Sequence, residues 1–505
     1  MIPNVPSLRP ARSSRRGLVL AACLFAAAKL LADPSMGISA ADYRSLQEAI
    51  DRNPGRPVFV PAGDHVITAS LQLRTNGSGL WGPGRIVQSD PEAGIIEIRG
   101  ASDVQVRDLT LTRMEGRMET HRTAIFVNES KDVVLSNLRL VDNRGDLATI
   151  YVRSCAGLTI QDCLIRNYSR ISIDDRRRRP EHPDFEVVGG YAFNVITGTG
   201  IGVRASRAVM IRNNRVIEEV MIPTRELKAK HKLGSFSAKE AKKGSGLPQS
   251  MWDAEYNNAW HQGSAIAIAN VETDPLVGTN PFIPKEAPPA DEPGTDHFFQ
   301  ILGNYVENAP QGMDIHVDNA IVAYNIVNNA FMGMKAMHGA RNVLILGNQF
   351  VRTDLWAIML MPGTVSHGPL AAGPDGQARD ENLDGHTIAA NNIISDFGYG
   401  NARWIWNDSN PVPLLFNGDS RKPDIPPLRN VLVEGNIIYD TGRDQILVDG
   451  QPRVEPPRYR HAVRIATGVG APVGLKFANN LFNPGTEGVS NIPLPGEGPA
   501  AAPAR

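Results

Sequence analysis

The stretch GMDIHVDNAIVAYN, beginning at Gly312, sets an acid and an imidazole two residues apart, and GMKAM, beginning at Gly333, carries Lys335 in a phrase of similar shape. If both are short β-strands, their side chains alternate between two faces. Met313 and Ile315 then point one way, and Asp314 and His316 the other. The same register in GIGV, from Gly200, turns Ile201 and Val203 inward and leaves Arg204 outward. Stacked strands lie about 4.8 Å apart, so Asp314 and Lys335 become neighbours in one outward column, with His316 and Arg204 in the next. Such a cluster suits a sugar polymer, and removal of a proton α to a carboxylate is chemistry it can support. That proton is weakly acidic until a cation neutralises the carboxylate, a task for Arg204, Lys335 or a bound Ca²⁺. His316 or Lys335 then takes the proton, with a pKa drawn toward the working pH by its neighbours. Reprotonation on the other face gives epimerisation, and expulsion of the 4-oxygen gives a lyase product. Hydrolysis needs two suitably spaced carboxyls, and only Asp314 and Asp318 lie close together here. The expected substrate-binding residues are Tyr151, Arg153, Trp406 and His261, the aromatic ones stacking on sugar faces.

These positions hold only if a regular stack of strands surrounds them, and the chain repeats as such a stack would. A phrase of apolar, any, apolar, any, any, Asn recurs as VMIRNN from Val209, FQILGN from Phe299, AIVAYN from Ala320 and VLILGN from Val343. It continues with TIAANN from Thr387, VLVEGN from Val431 and LKFANN from Leu475. Earlier copies at Val104, Val133 and Leu158 keep the apolar beats without the final Asn. The tightest spacings are 21, 23, 25 and 29 residues, and three successive spacings of 44 read as one repeat plus a loop. Second short strands interleave with them, among them TAIFV, TIYV, GIGV, GMDIHV, GMKAM, AIML, WIW and AVRI. Short alternating strands, Asn or Gly at the bends and no helical period predict an all-β parallel solenoid over 57–482. Asn214, Asn304, Asn325, Asn348, Asn392, Asn436 and Asn480 then share one bend in successive rungs and bond to each other as an amide ladder. Leu109, Leu138 and Cys163 fill that place in the first rungs. The outward column runs Phe126, Tyr151, Gly202, Ala267, Asp314, Lys335, Met359, Trp406.

The ends carry other instructions. RSSRRGLVLAACLFAAAKLLA sets Arg12, Arg15 and Arg16 before a short apolar run, and SRRGLVL resembles a twin-arginine export signal, which assigns 1–32 to export. A soluble periplasmic or secreted protein is expected; LAAC, ending at Cys23, offers lipid anchoring as the lesser alternative. Cys155 and Cys163 remain after cleavage and read as buried free thiols. ADYRSLQEAIDRNPG predicts a short amphipathic helix, with Asp42 as N-cap and Leu46 and Ile50 on one face, capping the first rung. Residues 33–484 form the β-helix domain, and 485–505 read as a disordered tail. With 52 Lys and Arg against 53 Asp and Glu, nothing global points to nucleic acid. No transmembrane helix is expected in the mature chain, and a monomer is.

The entry helix, the strand VFVPAGDHVI and the turn GLWGPG resemble the opening of the pectate-lyase-like right-handed parallel β-helix proteins, and the rungs from Val104 to Phe482 resemble their repeats. That resemblance implies a right-handed parallel β-helix with a short N-terminal capping helix. The scaffold carries lyases, hydrolases, epimerases, adhesins and inactive binding proteins, so it fixes no chemistry. At the central rung, Asp314 and His316 match the Asp and His of the Asp-Pro-His motif of mannuronan C5-epimerases. Ile315 replaces the Pro, Val317 the acid that usually follows, and Gln311 stands where some members have a catalytic Tyr.

Long insertions at 217–262, 273–296 and 362–385 interrupt the rungs and are placed to wall a cleft for an anionic polymer. Two functions follow from the pattern. One is an exported lyase or C5-epimerase acting on a uronate polysaccharide, with no cofactor or with Ca²⁺. The other is a noncatalytic carbohydrate-binding or envelope-assembly β-helix, in which the outward charges only pair with each other.

Overall fold

A computed structural model describes residues 37–176, 191–238, 261–269, 298–363, 366–369, 381–402, 411–418, 425–441, 445–448, 451–454 and 456–496. The expected export segment with Cys23, the 273–296 insertion and Trp406 lie outside the described residues. Among those residues no helix is long and apolar enough to cross a membrane.

Strands too short to stand alone are stabilised by pairing in parallel with the rung before and the rung after. Most of the described strands form one 23-stranded and one 12-stranded sheet wound along the chain, from Ile38–Ser39 through Gly488–Ser490. Register makes the interior a set of aliphatic stacks. Ile96, Ile125, Ile150, Ile201, Ile266, Met313, Met334, Ile358, Leu414 and Val463 lie one above another, all buried. Any one-residue slip would turn such a stack into solvent, which is why the alternation seen in sequence is binding.

The asparagine ladder forms as expected. The side-chain amide of Asn214 donates to Asn304, Asn304 to Asn325, Asn325 to Asn348, Asn348 to Asn392, Asn392 to Asn436 and Asn436 to Asn480, all at 2.9–3.1 Å. Each of these amides also donates to a backbone carbonyl, for example Asn348 to Val322 at 2.8 Å. At its N-terminal end the ladder joins the apolar part of the column, Cys163 donating its backbone N–H to Asn214 Oδ1 at 3.0 Å. Before each ladder residue the chain turns through the left-handed region, at Asn213, Gly303, Tyr324, Gly347, Asn391, Gly435 and Asn479. Asn and Gly tolerate that conformation best, which explains the Asn-Asn and Gly-Asn pairs in the repeat.

Three details differ from the sequence reading. The capping helix is Leu46–Asp51, and its N-cap is Ser45, whose hydroxyl accepts from Glu48 N at 3.1 Å. Asp42 instead ends the preceding turn, Ala40–Asp42, so the capping oxygen sits one turn later than expected. The supposed tail is ordered over 485–496. Gly488–Ser490 pairs in parallel with His461–Ile465, and Ile492 and Leu494 pack against the core. Apolar residues among Gly and Pro here cap the last rung, and only 497–505 lie outside the described residues. Finally, the strand after Trp356–Leu360 is Val412–Phe416, so Leu415 holds the column position expected of Trp406. VPLLF offers Leu414 and Phe416 to the interior stacks, a better continuation of Ile358 and Leu360.

Part of the 217–262 insertion is folded. The helix Arg225–His231 is capped by Thr224, and Phe236–Ala238 joins the antiparallel pair Arg170–Arg176 and Tyr191–Thr197. Cys155 and Cys163 are buried free thiols, pushed up to about 12 chiefly by burial, and so inert as nucleophiles.

Candidate active site

The strands Thr199–Arg204, Ser264–Ala269, Gln311–His316 and Met332–Ala336 stack in that order. Their outward residues make two columns. One carries Phe126, Tyr151, Gly202, Ala267, Asp314, Lys335 and Met359, and the other Arg153, Arg204, Ala269 and His316. Asp314 is held from two sides. His316 Nε2 lies 2.6 Å from its Oδ1, and Lys335 Nζ lies 3.4 Å from its Oδ2. The three side chains are only 15%, 5% and 18% exposed for Asp314, His316 and Lys335 respectively.

Burial alone would raise the pKa of Asp314, but His316, Lys335 and His338 outweigh it and hold the carboxyl well below its usual range. His316 moves the other way from a simple ion pair. Burial depresses its pKa more than Asp314 restores it, and Lys335 and Arg204 add to the depression. At neutral pH the imidazole is therefore the uncharged form, able to accept a proton. Arg204 is largely buried, which weakens its hold on its charge, while Tyr151 and Asp314 oppose that. Its Nη1 is buried without a hydrogen-bond partner among the described residues.

The four residues expected to act together thus share one patch. Tyr151 lies in the same column as Asp314, its ring stacked on Phe126 at 5.7 Å and 16°. Arg153 is in register with Arg204. His261 departs from expectation: it is 2% exposed, its ring 6.3 Å from that of Phe331, and burial takes its pKa down to about 3. Its backbone makes an isolated parallel bridge to Ile196, near the end of Tyr191–Thr197. No group of three His, Cys, Asp or Glu able to hold a metal occurs among the described residues. Asp314 is engaged by His316 and Lys335, and Asp318 by Arg341 at 3.0 Å, so these carboxylates do not form a Ca²⁺ ligand set as placed.

No protein-family model matches the chain, and no curated protein does. Solved structures do. The catalytic domain of a GH87 α-1,3-glucanase in complex with tetrasaccharides is similar over 91% of this chain and 67% of its own, at 12% identity and a TM-score of 0.51. The A-module of an Azotobacter vinelandii mannuronan C-5 epimerase is similar over 91% of this chain and 98% of its own, at 12% identity and a TM-score of 0.44. A PL6 alginate lyase in complex with a trisaccharide is similar over 90% and 86%, at 10% identity and a TM-score of 0.44. The chain has a right-handed parallel β-helix fold.

Around the patch, this β-helix adds residues that alternation could not find. His338 sits past the end of its strand, its ring edge-on to His316 at 4.7 Å and 78°. Asp384, on the neck of the 362–385 insertion, is buried and carries a pKa raised to about 7 by that burial against three hydrogen-bond donors, with Asp318 adding to the rise. The signal for both was the long insertion itself, which returns beside the central rungs.

Proposed function

We propose that this β-helix is an exported enzyme acting on a uronate polysaccharide, as a lyase or a C5-epimerase. The observation that carries the reading is a buried, unpartnered guanidinium nitrogen of Arg204 beside a neutral His316 that is braced by ionised Asp314. A buried guanidinium nitrogen without a hydrogen-bond partner is costly until an acceptor joins it, and a substrate carboxylate is an anion of suitable shape for a guanidinium. Arg204 thus binds and neutralises the uronate carboxylate, which makes the proton α to it removable. Asp314 orients His316 and stabilises the imidazolium formed when that ring takes the proton. Lys335 supplies the second positive charge, and donates to the opposite face or to the departing 4-oxygen.

Space for the polymer is written in the same column. In that column only Gly202 and Ala267 stand between Tyr151 and Asp314, so the two functional side chains rise three rung steps, or roughly 14 Å, apart. Tyr151 gives a flat face for a sugar ring at the N-terminal end. The fold likeness to a glucanase seen with tetrasaccharides agrees with a glycan on this scaffold. Arg15 and Arg16 ahead of an apolar run support export. The test is a panel of uronate polymers, followed by ultraviolet absorbance for unsaturated ends and NMR for epimers. Turnover of a neutral glucan with no change in any uronate polymer would overturn the reading.

A further inference from the structure

The neck of the 362–385 insertion is tied to the central rungs by one buried carboxyl. Asp384 Oδ1 accepts the backbone N–H groups of Gly339 at 2.9 Å and Ala340 at 3.1 Å, the two residues after His338. Its Oδ2 lies 2.5 Å from Ser366 Oγ, and the same hydroxyl oxygen accepts Gly363 N at 3.0 Å. Gly363 in turn lies on the His338 ring so closely that any Cβ there would strike the ring atoms. The other neck strand closes the enclosure: Asn382 Nδ2 donates to the His338 carbonyl at 3.2 Å, and Asn382 exchanges both backbone hydrogen bonds with His367. His338 is therefore fixed through its ring, its carbonyl and the two N–H groups that follow it. Each of these contacts leads back to Asp384 or its neighbour Asn382.

We propose that Asp384 is a positioning residue that sets His338 edge-on to His316, acting through Ser366 and Gly363. It is buried at 2% exposure and touches no open surface, so its effect on the chemistry is indirect. The inference rests on reading the His316 patch as catalytic, but its geometry stands apart from which polymer is used. A misplaced ring beside the proton acceptor would slow the chemical step while leaving substrate binding by Arg204 and Tyr151 intact.

The experiment compares full-length wild type with Asp384→Ala, Ser366→Ala and the isosteric Asp384→Asn, labelled selectively at histidine for NMR. In Asp384→Ala and Ser366→Ala the His338 ring signal should move, and kcat on a uronate polymer should fall by about 10-fold or more with KM within about twofold. Asp384→Asn keeps an oxygen for the two N–H groups and should restore both the signal and most of kcat. Folded Ala variants with an unmoved His338 signal, or a loss confined to KM, overturn the proposal. If Asp384→Ala does not fold, Ser366→Ala and Asp384→Asn still decide it, since the first must move the ring and the second must not. A moved His338 signal with no uronate turnover by any form upholds the positioning role and defeats the uronate reading.

Discussion

Alternation carries side-chain direction only as far as a strand continues. That is why Asp314, His316, Lys335 and Arg204 could be placed from the sequence, each lying within a strand whose inward partners are Ile, Met, Val or Ala. His338 and Asp384 could not, because one follows a strand end and the other returns from an insertion whose path no periodicity encodes. Trp406 shows the opposite failure: WIW alternates as well as VPLLF does, and only the stack beneath Ile358 chooses between them. If the patch is catalytic, His316→Ala and Lys335→Ala should each cut turnover by about 10²–10⁴-fold, as loss of a general acid or base does. Thermal unfolding, read in parallel, should fall as well, since each change takes a partner from the buried Asp314 carboxylate; folded variants that keep wild-type turnover would make the patch structural. The carboxyls give the pH response its sign. Asp314, depressed in the folded state, contributes stability above its unfolded pKa that is lost as pH falls through its folded value. Asp384, raised to about 7 from an ordinary 3.8, contributes most below 3.8 and loses that contribution as pH climbs to about 7. Melting temperatures should therefore decline between pH 4 and 7 more steeply in wild type than in Asp384→Asn, as about three pH units of differential proton binding require. Parallel curves would contradict the buried acid.

At the scale of elements, the ladder is the feature the sequence states most plainly, because its Asn recurs at the same place in every copy from Asn214 on. The antiparallel pair Arg170–Arg176 and Tyr191–Thr197 was hidden, its first strand being rich in charge and outside the repeat. Asn348 is the best place to measure what the ladder contributes. It accepts from both the backbone and the side chain of Asn325 and donates to Val322 and Asn392, all buried. Asn348→Ala strands several of these groups away from water, at about 1–3 kcal/mol for a buried group left unsatisfied, so a loss of about 3 kcal/mol is expected. Urea unfolding measures it as a lower midpoint at unchanged slope. A loss under about 1 kcal/mol would mean that neighbouring rungs close around the gap.

At the largest scale, the described rungs form a stack that must be finished at both ends. Helix Leu46–Asp51 covers the first rungs with Leu46, Ala49 and Ile50, and 485–496 covers the last with Ile492 and Leu494. The first cap was legible from its amphipathic spacing; the second was not, because its apolar residues are spread among Gly and Pro and its strand is three residues long. Removing 484–505 should expose the edge of His461–Ile465 to pairing with other chains. Light scattering on the shortened protein should report oligomers; a shortened chain that stays monomeric and melts as before would show that the cap is dispensable.

The ladder also has a mechanical side. Its bonds run along the axis of the solenoid, beside the backbone bonds between rungs, so tension on the two ends loads every interface in series. The weakest interface then sets the strength of the whole. From Asn214 onward each junction has an extra buried tie of one amide to the next, whereas at the same bend Leu109 and Leu138 offer apolar contact, and the neighbouring tie of Asn137 to Asp108 is exposed to water. A pulled molecule would part among its leading rungs, and the stretch bearing His316 and Lys335 would be the last to unwind.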